Sequence, residues 1–216
     1  MARSSVSVSV SVPVSDTDTD TETDTETLLS LPPTRLGYRP PTMENLEKIR
    51  AALPEAAKDL KLNLQSVLTD SKLDENKRWG VAIACAISVG DAELTAAVLA
   101  DAKVDEATLD DAKAAASLMG MNNVYYRFRH FMEGSEVEGD YKLPARLRMN
   151  RIARPAGDKV AFELYCLAVS AINGCEACVR SHEAVVRKGG MTADEVHDAV
   201  RIAAVLHGVG HARRIP

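Results

Sequence analysis

Apolar residues recur at helical spacing from about residue 44 to the C-terminus, and no stretch there offers strand alternation bounded by turn signals. The spacing predicts helices over 44–53 and 55–68, with Pro54 at a position suited to a helix start. A third helix over 75–89 stops at Gly90, and a fourth over 92–102 starts at Asp91. A long one follows over 106–119, with a continuation over 121–132. Pro144, Pro155 and Gly157 make 139–157 a loop with one short helix. The last three helices are predicted over 159–172, stopping near Gly174, over 175–187, ending at Gly189-Gly190, and over 193–209. Thr192 and Glu195 have the spacing of a capping box at the start of the last.

The pattern before residue 43 is different. Residues 6–12 alternate Val and Ser, and residues 16–27 alternate Asp or Glu with Thr. Four prolines follow in 32–41. Serines interrupt any apolar stretch, so a secretory signal is not expected. The acidic Thr repeat has nothing to bury. Residues 1–42 are therefore expected to be a low-complexity, disordered tail, and residues 43–216 a helical domain. Thr42 stands where an N-cap of the first helix would fall. Met43 is an alternative start of the protein, an idea that peptides from residues 1–42 in native material would exclude.

The helices repeat. The order helix, Gly, helix, loop, capped helix occurs over 75–119 and again over 159–207, with Gly90 and Gly174 at the same point. "DDAKAAASLMG" (110–120) also resembles "HDAVRIAAVLHG" (197–208). The expected fold is all-α, a duplicated helical unit whose apolar faces pack together. In that register Cys175, Cys178 and His182 correspond to Asp91, Leu94 and Val98. The first copy has neither thiol nor imidazole there, so packing alone does not require them.

Composition narrows the picture. Hydrophobic residues make up 46% of the 216 and aromatics only 4%, which calls for an aliphatic core. The net charge of −5 argues against a nucleic-acid partner, and no apolar run approaches the roughly 18 residues of a membrane span. The tail carries −3 of that charge, leaving the domain near neutral. Four cysteines do not make a disulfide framework in a chain of this length. A soluble, cytoplasmic protein is expected.

The candidate chemistry lies in "FELYCLAVSAINGCEACVRSH", residues 162–182. Cys175 and Cys178 form a C-x-x-C at the start of a helix, near enough to bridge. His182 is i+4 from Cys178 on the same face. The positive end of the helix favours a thiolate, the form that attacks peroxides and disulfides. A second thiol can resolve a sulfenic acid into a disulfide. Two other readings stay open: buried cysteines acting as small hydrophobes, and a zinc site with His207 or Glu163 as fourth ligand. Glu163 lies in a helix that is apolar on most sides, where a carboxylate is expected to be paired or functional, or to occupy a narrow polar stripe. Cys85 and Cys166 read as core, and His130, His197 and His211 as surface or helix-end residues.

These residues resemble the alkyl hydroperoxide reductase D (AhpD) family, within the carboxymuconolactone decarboxylase-like superfamily. The resemblance runs from about Met43 to about Gly210, through "IRAALPEAAKDLKLNL", "MGMNNVYYRFRHFMEG", "LRMNRIA" and "FELYCLAVSAINGC". It implies a homotrimer of helical subunits and a thiol enzyme that reduces organic hydroperoxides and re-reduces the peroxiredoxin AhpC. It implies no bound cofactor. Electrons would come from dihydrolipoyl groups on a lipoylated acyltransferase, with dihydrolipoyl dehydrogenase upstream. By the same resemblance, Cys178 would be the peroxidatic cysteine, Cys175 its resolving partner, and His182 with Glu163 a proton relay. Helix-terminus reasoning alone would choose Cys175 as the nucleophile. Ala177 stands where some members of the family have a histidine. The competing expectations are a non-redox, decarboxylase-like member of the superfamily and a zinc-stabilised structural protein.

Overall fold

The computed structural model describes residues 43–216, and among these residues there is no strand. The expected disordered tail, and Thr42 as an N-cap, lie outside the described residues. Helix α1 spans Glu44–Ala52 and begins after Met43, which makes no side-chain cap. Its N-terminus is capped from a distance. The buried carboxylate of Asp101 accepts from the backbone N–H of Asn45 and of Leu46, at 3.0 and 2.8 Å.

The single helix expected over 55–68 is divided. Pro54 is extended and precedes a 3-10 turn at Glu55–Ala57, and α2 follows at Lys58–Thr69. Helices α3 (Glu75–Val89) and α4 (Ala92–Asp101) lie as predicted, joined through Gly90 in the left-handed region. The expected break at residue 120 is absent. Helix α5 runs unbroken over Glu106–Met132, because Gly120 faces open space and burial of the flanking turns against neighbouring helices outweighs the roughly 1 kcal/mol cost of a helical glycine. The loop carries a 3-10 turn at Glu138–Tyr141 and the short α6, Asn150–Ala153. Helices α7 (Lys159–Ile172), α8 (Glu176–Lys188) and α9 (Ala193–Ala212) complete the chain, and α9 opens with the predicted capping box.

The packing bears out the duplication. Helix α3 packs on α5 and α9, while α7 packs on α9 and α5, so the two copies embrace reciprocally. The core is aliphatic and alanine-rich, with Trp79, Phe162 and Tyr165 as its large fully buried rings. Alanine on facing helices allows close approach, and the Gly80 Cα comes so near Tyr165 that a Cβ there would meet the ring at 2.3 Å. Helix α7 runs through the middle, buried at ten consecutive positions from Ala161 to Ser170. Among the described residues, no helix is long and apolar enough to cross a membrane.

Candidate active site

The site grows from the turn between α7 and α8. Gly174 is left-handed (φ 63°), as Gly90 is in the first copy (φ 77°), and this lets the chain reverse direction. Cys175 donates its backbone N–H to the Ser170 carbonyl at 3.1 Å and occupies the N-cap of α8, with Cys178 one turn in. At the equivalent place in the first copy, Asp91 is the N-cap of α4 and its carboxylate accepts from Leu94 N–H at 2.9 Å. The Asp91–Leu94 cap is thus replaced by the Cys175–Cys178 pair, which is joined as a disulfide with Cα atoms 5.3 Å apart. A position that holds an anionic cap in one copy holds a thiol in the other. The orphan N–H groups and the helix dipole favour negative charge there.

His182 lies one turn beyond Cys178, and its Nδ1 is 2.6 Å from Glu163 Oε2. Both residues are buried. A carboxylate only accepts, so Nδ1 is the donor of this bond, and in the neutral imidazole Nε2 then holds the lone pair. Glu163 therefore stands at the expected point of the apolar helix α7 and is paired across the α7–α8 contact.

Cys178, His182 and Glu163 line one cavity of about 340 Å³, whereas Cys175 lies behind it, fully buried. Helix α5 contributes Asn122 and Tyr126, and the loop around α6 contributes Met149 and Ile152. Asp111, buried on α5, anchors the loop by accepting from Ala156 and Gly157 N–H, both at 2.8 Å, and from Arg151.

The remaining sequence candidates lie elsewhere. Cys85 and Cys166 are buried free thiols of the core. Burial pushes both thiols well up, and for Cys166 the nearby Glu163 charge adds to it, so neither is a thiolate at neutral pH. His130 is a surface residue bridging Glu133 and Glu176, and His197 is exposed. His211 is exposed in the last turn of α9, as expected, and His207 is its neighbour on the same helix. Four residues apart on α9, they pack edge to face with their Nε2 atoms 3.2 Å apart. His207 does not line the cysteine cavity, and no cluster of three or more metal-ligating side chains occurs among the described residues.

The model of the carboxymuconolactone decarboxylase family matches residues 141–215, the stretch that carries the second copy and its cysteines. The chain is 58% identical over 167 residues to the alkyl hydroperoxide reductase AhpD of Anaeromyxobacter sp. (strain K), covering 76% of this chain and 88% of that protein. The chain belongs to the AhpD family. Further AhpD relatives include that of Anaeromyxobacter dehalogenans (strain 2CP-C), 56% identical over 79% of this chain and 91% of its own length. The AhpD of Maricaulis maris (strain MCS10) is 48% identical over 76% and 95%.

Four members of this AhpD-family cavity have no signal in the local pattern. Asn122 and Tyr126 sit inside a long helix with no unusual spacing, and Met149 and Ile152 sit in a segment read as loop. Only one clue was present: "MNNVYY" and "LRMNRIA" lie within the stretches that carry the family resemblance.

Proposed function

We propose that this chain is a thiol peroxidase that reduces alkyl hydroperoxides at Cys178 and re-reduces the peroxiredoxin AhpC with electrons from dihydrolipoyl groups. The observation that carries this reading is that Cys178, not Cys175, lines the cavity holding the His182–Glu163 pair. Exposure to the cavity favours Cys178 as the attacking thiol, against the preference for the helix-capping cysteine. The names of the relatives supply the substrate class.

The cycle balances with this chain's own groups. A dithiol reduces the Cys175–Cys178 disulfide and becomes a disulfide itself. His182 Nε2 takes the Cys178 proton, and Glu163 steadies the imidazolium. The thiolate attacks the terminal peroxide oxygen, the O–O bond breaks, and the alkoxide takes the proton from His182. Cys175 then displaces water from the Cys178 sulfenic acid, regenerating the disulfide. The sum is one hydroperoxide and two thiols to one alcohol, one water and one disulfide.

The apolar walls formed by Tyr126, Met149 and Val185 support an alkyl substrate. A lipoylated acyltransferase with dihydrolipoyl dehydrogenase upstream, acting in the cytoplasm, is the proposed electron source, and no bound cofactor is required by the cycle. A homotrimer is the proposed assembly, and Val124, Phe128 and Phe131, exposed at i, i+4 and i+7 on one face of α5, offer an apolar contact surface for self-association.

The test is NADH consumption in a mixture of this protein, an alkyl hydroperoxide, lipoylated acyltransferase and dihydrolipoyl dehydrogenase, with and without AhpC. Turnover that disappears in Cys178→Ser supports the reading, and full turnover in that variant refutes it. Sedimentation of the same sample checks the assembly, where a mass other than three chains excludes the trimer.

A further inference from the structure

Asn122 and Asn123 are adjacent, both buried, and differ in one respect. Asn123 is fully engaged: its Nδ2 donates to Ser170 Oγ at 2.9 Å, and its Oδ1 accepts from Asn173 Nδ2 at 2.9 Å. Asn122 is 3% exposed and lines the cysteine cavity, yet its buried Oδ1 has no hydrogen-bond partner among the described residues. An unsatisfied buried amide costs about 1–3 kcal/mol, so such a group in a native fold calls for an explanation. The other polar pair in the cavity does not use it, since His182 and Glu163 bond to each other.

We propose that Asn122 is the group that binds and orients the –OOH head of the substrate, while Tyr126, Met149 and Val185 hold its alkyl part. This rests on the thiol-peroxidase reading. A hydroperoxide head offers one O–H donor and two oxygen acceptors, and a primary amide offers one acceptor and two donors. The amide oxygen accepts from the terminal O–H, and the amide nitrogen donates to the oxygen bearing the alkyl group. That pairing presents the terminal oxygen to Cys178. As the S–O bond forms and the O–O bond breaks, sulfur is oxidised by two electrons. The terminal hydrogen stays with its oxygen to give the sulfenic acid. The departing alkoxide gains negative charge against the amide N–H before it takes the proton from His182. The bond from Asn122 thus strengthens in the transition state, where it accelerates the reaction. Hydrogen peroxide would use the amide but not the apolar wall, which makes the cavity selective for the alkyl substrate.

The test separates the two half-reactions. Reduced protein is mixed with tert-butyl hydroperoxide and disulfide formation is followed in a single turnover. Oxidised protein is mixed separately with dihydrolipoamide. Asn122→Leu and Asn122→Ala are expected to lower the peroxide rate constant about tenfold or more, the scale of one transition-state hydrogen bond. The dihydrolipoamide rate should fall by a smaller factor than the peroxide rate, because disulfide exchange releases no alkoxide against the amide, and the pH profile of Cys178 alkylation should keep its shape. Asn122→Ser, which retains a donor and an acceptor, should recover part of the peroxide rate and provides a second reading if the apolar variants fold poorly. Peroxide rates that match wild type in the folded variants overturn the assignment, as do equal losses in both half-reactions. A wild-type protein that is reduced by dihydrolipoamide but reacts with no hydroperoxide removes the thiol-peroxidase reading itself, and this assignment with it.

Discussion

Glu163 is a carboxylate in the middle of a buried helix, and its pairing with His182 at 2.6 Å accounts for its presence there. Burying a charge without a partner costs several kcal/mol, so each member of this pair makes the other tolerable. The two thiol environments differ in the same terms. Cys166, one turn further along α7 and sealed in the core, is held protonated by burial, whereas Cys178 sits at a helix N-terminus beside an imidazole. Replacing Glu163 by Gln is expected to remove the anion that steadies the imidazolium. Thiolate formation at Cys178 should then need a higher pH, with the fold intact. Alkylation rate of the reduced protein against pH measures this, and an unshifted profile counts against the relay. The site chemistry was legible in the C-x-x-C spacing, in His182 one turn on and in the misplaced carboxylate. The direction in which Cys178 faces was not, because i, i+3 neighbours share a helix face and only the surrounding helices decide which one meets a cavity.

At the scale of elements, the approach to Cys175 is braced by side chains from another helix. Asn123 on α5 ties Ser170 and Asn173 together, and Arg127 donates to the Asn173 carbonyl. This holds the end of α7, and with it the left-handed Gly174. Asn123→Ala leaves the buried Ser170 hydroxyl and the half-buried Asn173 amide without this partner and is expected to cost about 1–3 kcal/mol. A denaturant midpoint that converts to less than half a kcal/mol would show that the brace carries little. Helix positions were largely readable from apolar spacing and from the caps Asp91 and Thr192, and the structure adds Asp74 and Asp105 as caps of α3 and α5. The departures share a cause. Gly120 does not stop α5 and Asp101 caps α1 from another helix, because burial and partners distant in sequence override local propensity.

Across the whole molecule, charged side chains link elements far apart in sequence. Arg213, just past α9, donates to Asp91 at 2.7 Å, and Asp198 on α9 accepts from Lys72 N–H at 2.6 Å and from Arg201. Burial pushes both carboxyls up. For Asp91 the Leu94 N–H and the Arg213 guanidinium outweigh it, and for Asp198 the Lys72 N–H and Arg201 do so, and both end below the usual range. A carboxyl depressed in the folded state contributes stability that is complete above its unfolded pKa of about 3.9 and is lost as pH falls through the folded value. Unfolding free energy should therefore fall as pH drops below about 4. Asp91→Asn keeps a capping side chain but removes the charge facing Arg213, so it should flatten that acid limb and cost about 1 kcal/mol near neutrality, the scale of the lost ion pair. Urea titrations of both proteins from pH 3 to 7 check it, and parallel acid limbs would exclude this role for Asp91.

The amino-acid sequence by itself determined the helical class, the internal repeat and the reactive segment. Each rests on local periodicity or on residues a few positions apart. The repeat also isolated the cysteines, since the same position is a capping Asp91 in one copy and Cys175 in the other. Only the tertiary structure decided the rest. It brings Asn122 and Tyr126 of α5, Met149 and Ile152 of the loop, and Val185 of α8 around Cys178. It also leaves the Asn122 amide oxygen without a partner among the described residues. A cavity is bounded by helices separated by tens of residues, so its walls are fixed by how the two copies embrace and not by any spacing within one helix.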